Sequence, residues 1–163
     1  MALKTDRNTL DTDISFFMNE VATRGGIASV STGGSGASMD NGSALVTYGA
    51  LPSGKVPVGL LVNDMVNLDL TRQHINQHKD EVQKGGKVTL LTKGWVVTNM
   101  LEGTDPNAGD PAYVAHSGLI AASDLSNDDT DADGSTRLVG RFLSDVDQKG
   151  YAKVYIDLPN TNV

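Results

Sequence analysis

The chain has 163 residues, no cysteine and a formal net charge of −7 at pH 7. The absence of cysteine excludes disulfides, thiolate metal sites and cysteine nucleophiles, and an acidic chain without a Lys/Arg cluster argues against direct nucleic-acid binding. The 18 glycines and the aromatic content of 5% indicate many turns and short strands, as in an all-β protein.

The N-terminal residues indicate whether the protein is exported. Residues 1–6 contain no apolar segment of a secretion signal. No apolar run elsewhere reaches the roughly 20 residues that cross a bilayer. We therefore expect a soluble protein, made in the cytoplasm, with no membrane partner.

One helical pattern occurs near the N-terminus. Ile14, Phe17, Met18 and Val21 are spaced at i, i+3, i+4 and i+7, which places them on one face of a short amphipathic helix. An acidic or threonine cap at residues 11–13 would start this helix, and the glycine pair at residues 25–26 would end it. Two interpretations stay open: the helix packs on its own sheet, or it belongs to an arm that docks on a neighbouring subunit.

Residues 31–43 are rich in glycine and serine and contain little that could be buried. Such a composition is typical of a linker or a long surface loop. The predicted organisation is therefore an N-terminal arm at residues 1–43 and a β-body at residues 44–163.

Strand patterns fill the second part. They occur at residues 44–48, 59–63, 65–70, 87–99, 112–115, 119–122, 138–143 and 151–158. In the strand at 87–99, Val88 and Leu90 are expected on one face and Leu91 on the other, with Gly94 marking a bulge ahead of Trp95.

Two hairpins are expected, one turning at residues 117–118 and the other at residues 147–150. The last strand alternates apolar and polar residues, which predicts one buried face and one solvent-exposed face. The fold class is thus all-β, a sandwich or barrel of short antiparallel strands, with a short N-terminal helix or arm.

Two catalytic or nucleotide-binding motifs are incomplete. Residues 49–56 approach a phosphate-binding loop, but Val56 stands where Ser or Thr would bind Mg²⁺, and Pro57 follows where a helix should begin. His74 and His78 have the spacing of zinc ligands on a helix, yet Ile75 replaces the glutamate of the protease motif. We expect no catalytic residues and no enzyme.

An acidic segment is the strongest chemical signal. Asp129, Asp131, Asp133 and Gly134 reproduce the first half of an EF-hand loop, but Gly140 occupies the position of the bidentate glutamate. The segment is therefore predicted to be a solvated acidic loop without a metal. A weak Ca²⁺ site in a β-loop stays open as the alternative.

Several segments form an ordered series of strands and turns. They are AGDPAY at residues 108–113, SGLI at 117–120, VGRFL at 139–143 and GYAKV at 150–154, preceded by VNDMVNLDLTRQH at 62–74 and GKVTLLTKGW at 86–95. The series covers residues 57–158 and resembles the β-rich capsid decoration or cement (head-stabilising) proteins of tailed bacteriophages, including those of cyanobacteria.

The resemblance implies a non-enzymatic β-body on the outer capsid surface of the virion, which bridges adjacent major capsid proteins and acts as a dimer or trimer. Synthesis would take place in the host cytoplasm. The first ~45 residues carry no matching motif, so the proposed capsid or subunit contact through Ile14, Phe17, Met18 and Val21 comes from their pattern alone. The alternative function is a virion attachment or host-surface-binding module of a head fibre or tail, in a Ca²⁺-dependent form if the acidic segment binds the ion.

Overall fold

The computed structural model describes residues 2–33, 44–51, 54–64, 68–69, 74–75, 81–103, 105–123 and 137–159. Within these ranges the helical structure is limited to a 3-10 turn at His116–Gly118, and the regular elements are otherwise strands. The strands are β1 (Leu3–Asp13), β2 (Phe17–Met18), β3 (Ala22–Thr23), β4 (Ile27–Thr32), β5 (Leu45–Thr47), β6 (Pro57–Asp64), β7 (Leu68–Asp69), β8 (His74–Ile75), β9 (Glu81–Val82), β10 (Val88–Thr98), β11 (Leu101–Glu102), β12 (Pro111–Val114), β13 (Ile120–Ala121), β14 (Leu138–Phe142) and β15 (Ala152–Asp157). The predicted all-β class is confirmed.

A large sheet of eleven strands dominates the described residues, in the order β11-β13-β12-β14-β15-β10-β6-β4-β5-β2, with β1 added beside β10. Along one edge of β10 runs β1. Along the other edge lie β6, beside the first half of β10, and β15, beside its second half. The sheet therefore branches at β10.

This branching gives the protein two hydrophobic clusters. The first packs under β10, β15, β14 and β12 and includes Leu91, Val96 and Phe142. The second packs against β6 and the first half of β10 and includes Leu90 and Leu61. Because Leu90 and Leu91 are neighbours and both fully buried, β10 is covered on both faces where it meets β6.

The hairpins and the strands expected from the sequence agree with this architecture where the structure describes them; of the strand expected at residues 65–70, only Leu68–Asp69 lies within the described residues. Val88 and Leu90 share one cluster and Leu91 lies in the other, as predicted. The antiparallel pairs β12–β13 and β14–β15 form the two predicted hairpins. Buried and partly exposed residues alternate along β15, as the sequence pattern indicated.

The predicted N-terminal helix is wrong. Residues 3–13 form β1, and Phe17 and Met18 form β2. The backbone N–H groups of Phe17, Met18 and Asn19 donate to the carbonyls of residues 44, 86 and 46, which are distant in sequence. A helix of two or three turns is marginal in water by itself, so pairing with these strands outweighs the helical period.

The expected boundary between arm and body falls at residue 43, and residues 34–43 lie outside the described part of the chain. That division stays a prediction. Strands from both sides of it share one sheet, since β4 pairs with β5 and β6, and β1 pairs with β10.

The turn between β14 and β15 is organised by Asp147. Its Oδ1 accepts hydrogen bonds from the backbone N–H groups of Lys149 (2.8 Å) and Tyr151 (2.9 Å). Its Oδ2 lies 3.3 Å from Nζ of Lys4, and that ammonium also lies 4.2 Å from the ring centroid of Tyr151. The start of β1 is thus attached to this turn.

Gly94 occupies the closest approach between β10 and β1. Its φ is +144°, and a Cβ built on it would lie 2.1 Å from the carbonyl oxygen of Asn8. The pairing with β1 is irregular here: Leu10 of β1 is skipped next to Gly94, and Thr92 of β10 is skipped one pair further on. The irregularity predicted in this strand is therefore present, but the skipped residue of β10 is Thr92 and not Gly94.

Gly94→Ala is expected to destabilise the protein by about 2–3 kcal/mol, because the added methyl group combines backbone strain with a clash against β1. Hydrogen exchange should show loss of amide protection in residues 3–13. Gly103→Ala is the control, since Gly103 also has a positive φ (+85°) but has open space around its Cβ position. Protection of β1 that is unchanged in Gly94→Ala would contradict the close approach.

Asp147 predicts a pH dependence of stability. The N–H of Tyr151, followed by that of Lys149 and by Lys4, holds the pKa of the Asp147 carboxyl below its ordinary value of 3.8. A carboxylate with a depressed pKa stabilises the folded state above the unfolded pKa, and this contribution disappears as pH falls through the folded pKa. Asp147→Asn should therefore have a lower Tm than the unmodified protein at pH 7, and the difference should vanish in acid below pH 3.8. A difference that is constant with pH would exclude the ionised carboxylate as its cause.

Candidate contact surfaces

The structure separates the four N-terminal residues that the sequence placed on one face. Met18 is fully buried in the second hydrophobic cluster, whereas Val21 is 57% exposed. Ile14 and Phe17 are half-buried, and the Phe17 ring centroid lies 5.3 Å from Nζ of Lys87. Met18 therefore supports this segment from inside, and the other three residues remain accessible at its surface.

The side chains predicted as possible ion ligands lie outside the part of the chain whose side chains the structure describes. Asp129, Asp131, Asp133 and His78 lie outside the described residues, and His74 is described only as part of the backbone of β8. Among the residues whose side chains are described, no group of three or more His, Asp or Glu could hold a metal ion. The solvated acidic loop and its Ca²⁺ alternative both stay predictions.

A partly buried contact between Glu102 and His116 holds the turn between β12 and β13. The Glu102 carboxylate accepts a 2.8 Å hydrogen bond from the backbone N–H of His116 through one oxygen, and its other oxygen lies 2.8 Å from Nδ1 of the same residue. Ser117, in this turn, donates its backbone N–H to the carbonyl of Gly49. These contacts hold the turn against β11 and against the loop that follows β5, which is a structural role.

A row of large side chains crosses the sheet on the face that points away from the first hydrophobic cluster. Trp95 of β10 lies opposite Tyr155 of β15, and Tyr155 lies opposite Arg141 of β14. Their sequence neighbours Val96, Ile156 and Phe142 are fully buried. Because side chains alternate along a strand, the row itself faces solvent.

We call this surface the outer face. The second hydrophobic cluster covers the first half of β10 on this side, and the outer face begins where that cover ends. Residues on the same side of the neighbouring strands complete it: Asn8, Asp11, Lys93, Trp95, Val97, Pro111, Tyr113, Arg141, Leu143, Lys153, Tyr155 and Asp157.

Lys153 is ordered on the outer face by contacts at both ends. Its Nζ lies 3.6 Å from the ring centroid of Trp95, and its backbone N–H donates to Oγ of Ser144 at 2.9 Å. An ammonium over an indole ring is attracted by the negative face of the π system. The lysine thus fixes the ring orientation while its charge stays at the surface.

The outer face differs in charge from the chain as a whole. It carries three cations, Lys93, Arg141 and Lys153, and two anions, Asp11 and Asp157, whereas the chain has a formal net charge of −7. Lys93 and Asp157 lie 4.0 Å apart and are both well exposed, so their pairing contributes little. The face thus has a small excess of positive charge within an acidic chain.

Sequence reasoning missed the outer face, although it gave some of its parts. The alternation along β15 placed Lys153, Tyr155 and Asp157 on the solvent side. One sequence signal could have pointed to this face. It is Trp95, the single tryptophan, which directly follows the bulge predicted at Gly94. Its placement beside Tyr155, and through Tyr155 beside Arg141, depends on the pairing of β10 with β15, about 60 residues away, which spacing along the chain does not give.

Aromatic and cationic side chains together on one face of a sheet are typical of a surface that contacts another protein, as in structural and binding proteins. No helix among the described residues is long and apolar enough to span a membrane. A family model described as structural cement protein (E217 gp24/Pam3 gp6) matches residues 6–157. The chain therefore belongs to this family of phage structural cement proteins, which implies a non-enzymatic structural role and association with the phage capsid. No curated protein matches the chain significantly.

The contact between Lys153 and Trp95 is directly measurable, because fluorescence comes from one tryptophan. Lys153→Ala should shift the emission maximum to longer wavelength, since removing the side chain exposes the ring to water. It should also cost roughly 0.5–1 kcal/mol of stability. Lys153→Met retains an apolar stem over the ring and should leave the emission closer to that of the unmodified protein. Identical spectra for all three proteins would contradict the contact.

Proposed function

We propose that the protein binds the outer surface of an assembled phage capsid and stabilises it by bridging adjacent major capsid proteins. The observation that carries this proposal is the family match over residues 6–157, which begins in β1 and ends with β15. The match thus includes every strand of the large sheet apart from the start of β1, which supports a role for the described domain as a whole. A match to a cement family favours the capsid over attachment to a host surface.

Stabilisation follows from binding linkage. A protein that binds the assembled lattice better than free subunits lowers the free energy of the lattice by mass action. When one molecule contacts two subunits, the second contact is intramolecular, and modest individual contacts give a large combined affinity. A homo-oligomer, a dimer or a trimer, would extend this gain over several subunits.

Bridging requires two separate contact surfaces, and two candidates lie far apart along β10. Phe17 forms a backbone bridge with Lys87, immediately before β10 begins. Trp95 of the outer face is near the other end of that strand. At about 3.3 Å per residue, these positions are separated by roughly 25 Å. One surface could contact one capsid subunit while the other contacts its neighbour.

The N-terminal surface in this proposal consists of Ile14, Phe17 and Val21, supported from below by Met18. Val21 is the most exposed of them. Phe17 is the proposed anchor, because a half-buried aromatic ring held beside Lys87 offers a large apolar area at little cost in conformational entropy. In this assignment the contact residues lie on β2 and on the loops beside it, and not on one face of a helix as the sequence predicted.

Lattice preference tests the proposed function. The protein should bind mature shells of its phage's major capsid protein at least tenfold more tightly than the isolated capsid protein, because only shells offer two subunits at the right spacing. Bound protein should also raise the temperature at which shells disassemble. Binding can be measured by co-sedimentation and disassembly by calorimetry. Equal affinity for shells and free subunits would overturn bridging.

The same assay tests the N-terminal surface. Val21→Asp should weaken shell binding, since it places a charge in an apolar contact. Val56→Asp is the matched control, because Val56 is the same residue type, is 45% exposed and lies on the loop before β6. Equal effects of both substitutions would remove Val21 from the contact.

A further inference from the structure

We propose that the outer face is a docking surface for the capsid, and that its partner is an acidic, partly apolar strip on the surface of the major capsid protein. This inference rests on the proposed function and adds the site and the chemistry of the partner. It concerns a different surface from the N-terminal residues that the sequence singled out.

The composition of the row across the outer face is the first support. Trp95, Tyr155 and Arg141 are directly opposite one another on three adjacent strands. Side chains in such positions have Cβ atoms about 5 Å apart, so the row spans roughly 10 Å. Trp, Tyr and Arg are the residue types that contribute most to binding at protein interfaces. The chain places its single Trp among them.

The rigidity of the face is the second support. Each strand that carries the row buries its opposite side in the first hydrophobic cluster, through Val96, Val154, Ile156 and Phe142. Lys153 holds the Trp95 ring from above. Because the side chains are ordered before any partner arrives, binding costs little additional conformational entropy.

An apolar margin extends the row toward the end of β14. Leu143 follows β14 and donates its backbone N–H to the carbonyl of Lys153 at 2.7 Å, so it continues the pairing with β15. It is 43% exposed, whereas its neighbour Phe142 is fully buried on the opposite side of the strand. Covering it would add apolar burial to the contacts of the row.

Charge identifies the partner. The outer face holds three cations and two anions, and so a small excess of positive charge, in a chain whose net charge is −7. An acidic strip on the capsid protein would be attracted to this face and repelled by the acidic remainder of the chain, which fixes the orientation of docking. A two-fold symmetric contact between two copies would instead bring together two faces with the same small positive excess. The charges therefore favour the capsid protein over a second copy in such a contact.

The test compares matched variants in binding to shells of the phage's major capsid protein. Arg141→Glu is expected to lower affinity about tenfold or more, and the affinity of the unmodified protein should fall with salt. Lys55→Glu is the control, since it makes the same charge change on the loop between β5 and β6. Leu143→Asp should lower affinity to a similar extent. Its control is Leu51→Asp, because Leu51 is 48% exposed and lies on that same loop.

Thermal melting of each variant separates lost binding from lost folding. Arg141 and Leu143 are both exposed, so their variants should melt close to the unmodified protein. If Arg141→Glu proves unstable, Arg141→Gln removes the charge with less perturbation and should show the salt-dependent part of the loss.

Each outcome has a distinct meaning. Tight shell binding by the outer-face variants, equal to that of the unmodified protein, overturns the docking surface and leaves the proposed function intact. Failure of the unmodified protein to bind shells overturns both. Equal losses in Lys55→Glu and Arg141→Glu would mean that overall charge, and not the outer face, governs binding. A change in oligomer mass by sedimentation, with shell affinity unchanged, would assign the face to a second copy of the chain.

Discussion

Burial of both faces where β10 meets β6 is the constraint on which the rest of the structure depends. Leu90 and Leu91 are adjacent and fully buried, as are Leu60 and Leu61 in the partner strand, and each pair divides between the two hydrophobic clusters. A full burial of such side chains contributes about 1.5–3 kcal/mol each. Shifting the register by one residue would exchange the two faces, so packing on both sides fixes it.

The same strand determines where the outer face lies. β10 is longer than the part that β6 covers, and its second half pairs with β15. There the first cluster still packs below, but the second no longer packs above, so Trp95 faces solvent beside Tyr155. The close approach at Gly94 allows β1 to pair along β10 across this transition. The outer face therefore begins where the second hydrophobic cluster ends, and the first cluster supports it from the other side of the sheet.

For a cement protein this arrangement has a mechanical consequence. The proposed bridging role requires two contact surfaces held at a fixed distance, and β10 connects the region of Phe17 to the outer face through one continuous strand. The acidic remainder of the chain is suited to solvent. The outer face, with its small excess of cations, is the exception, and its position on well-packed strands gives it a fixed shape.

By itself the sequence determined the all-β class, both hairpins, the two-sided pattern at Val88, Leu90 and Leu91, and the family likeness, because these depend on alternation and turn residues that are local in the chain. Tertiary structure decided the rest. The period at Ile14 to Val21 fits a helix, but the N–H groups of Phe17 and Met18 find partners some 27 and 68 residues away. The row of Trp95, Tyr155 and Arg141 likewise exists only through strand pairing. Local patterns specify which face of a strand is apolar, but the choice of neighbouring strand depends on burying the two clusters together, and that is a property of the whole sheet.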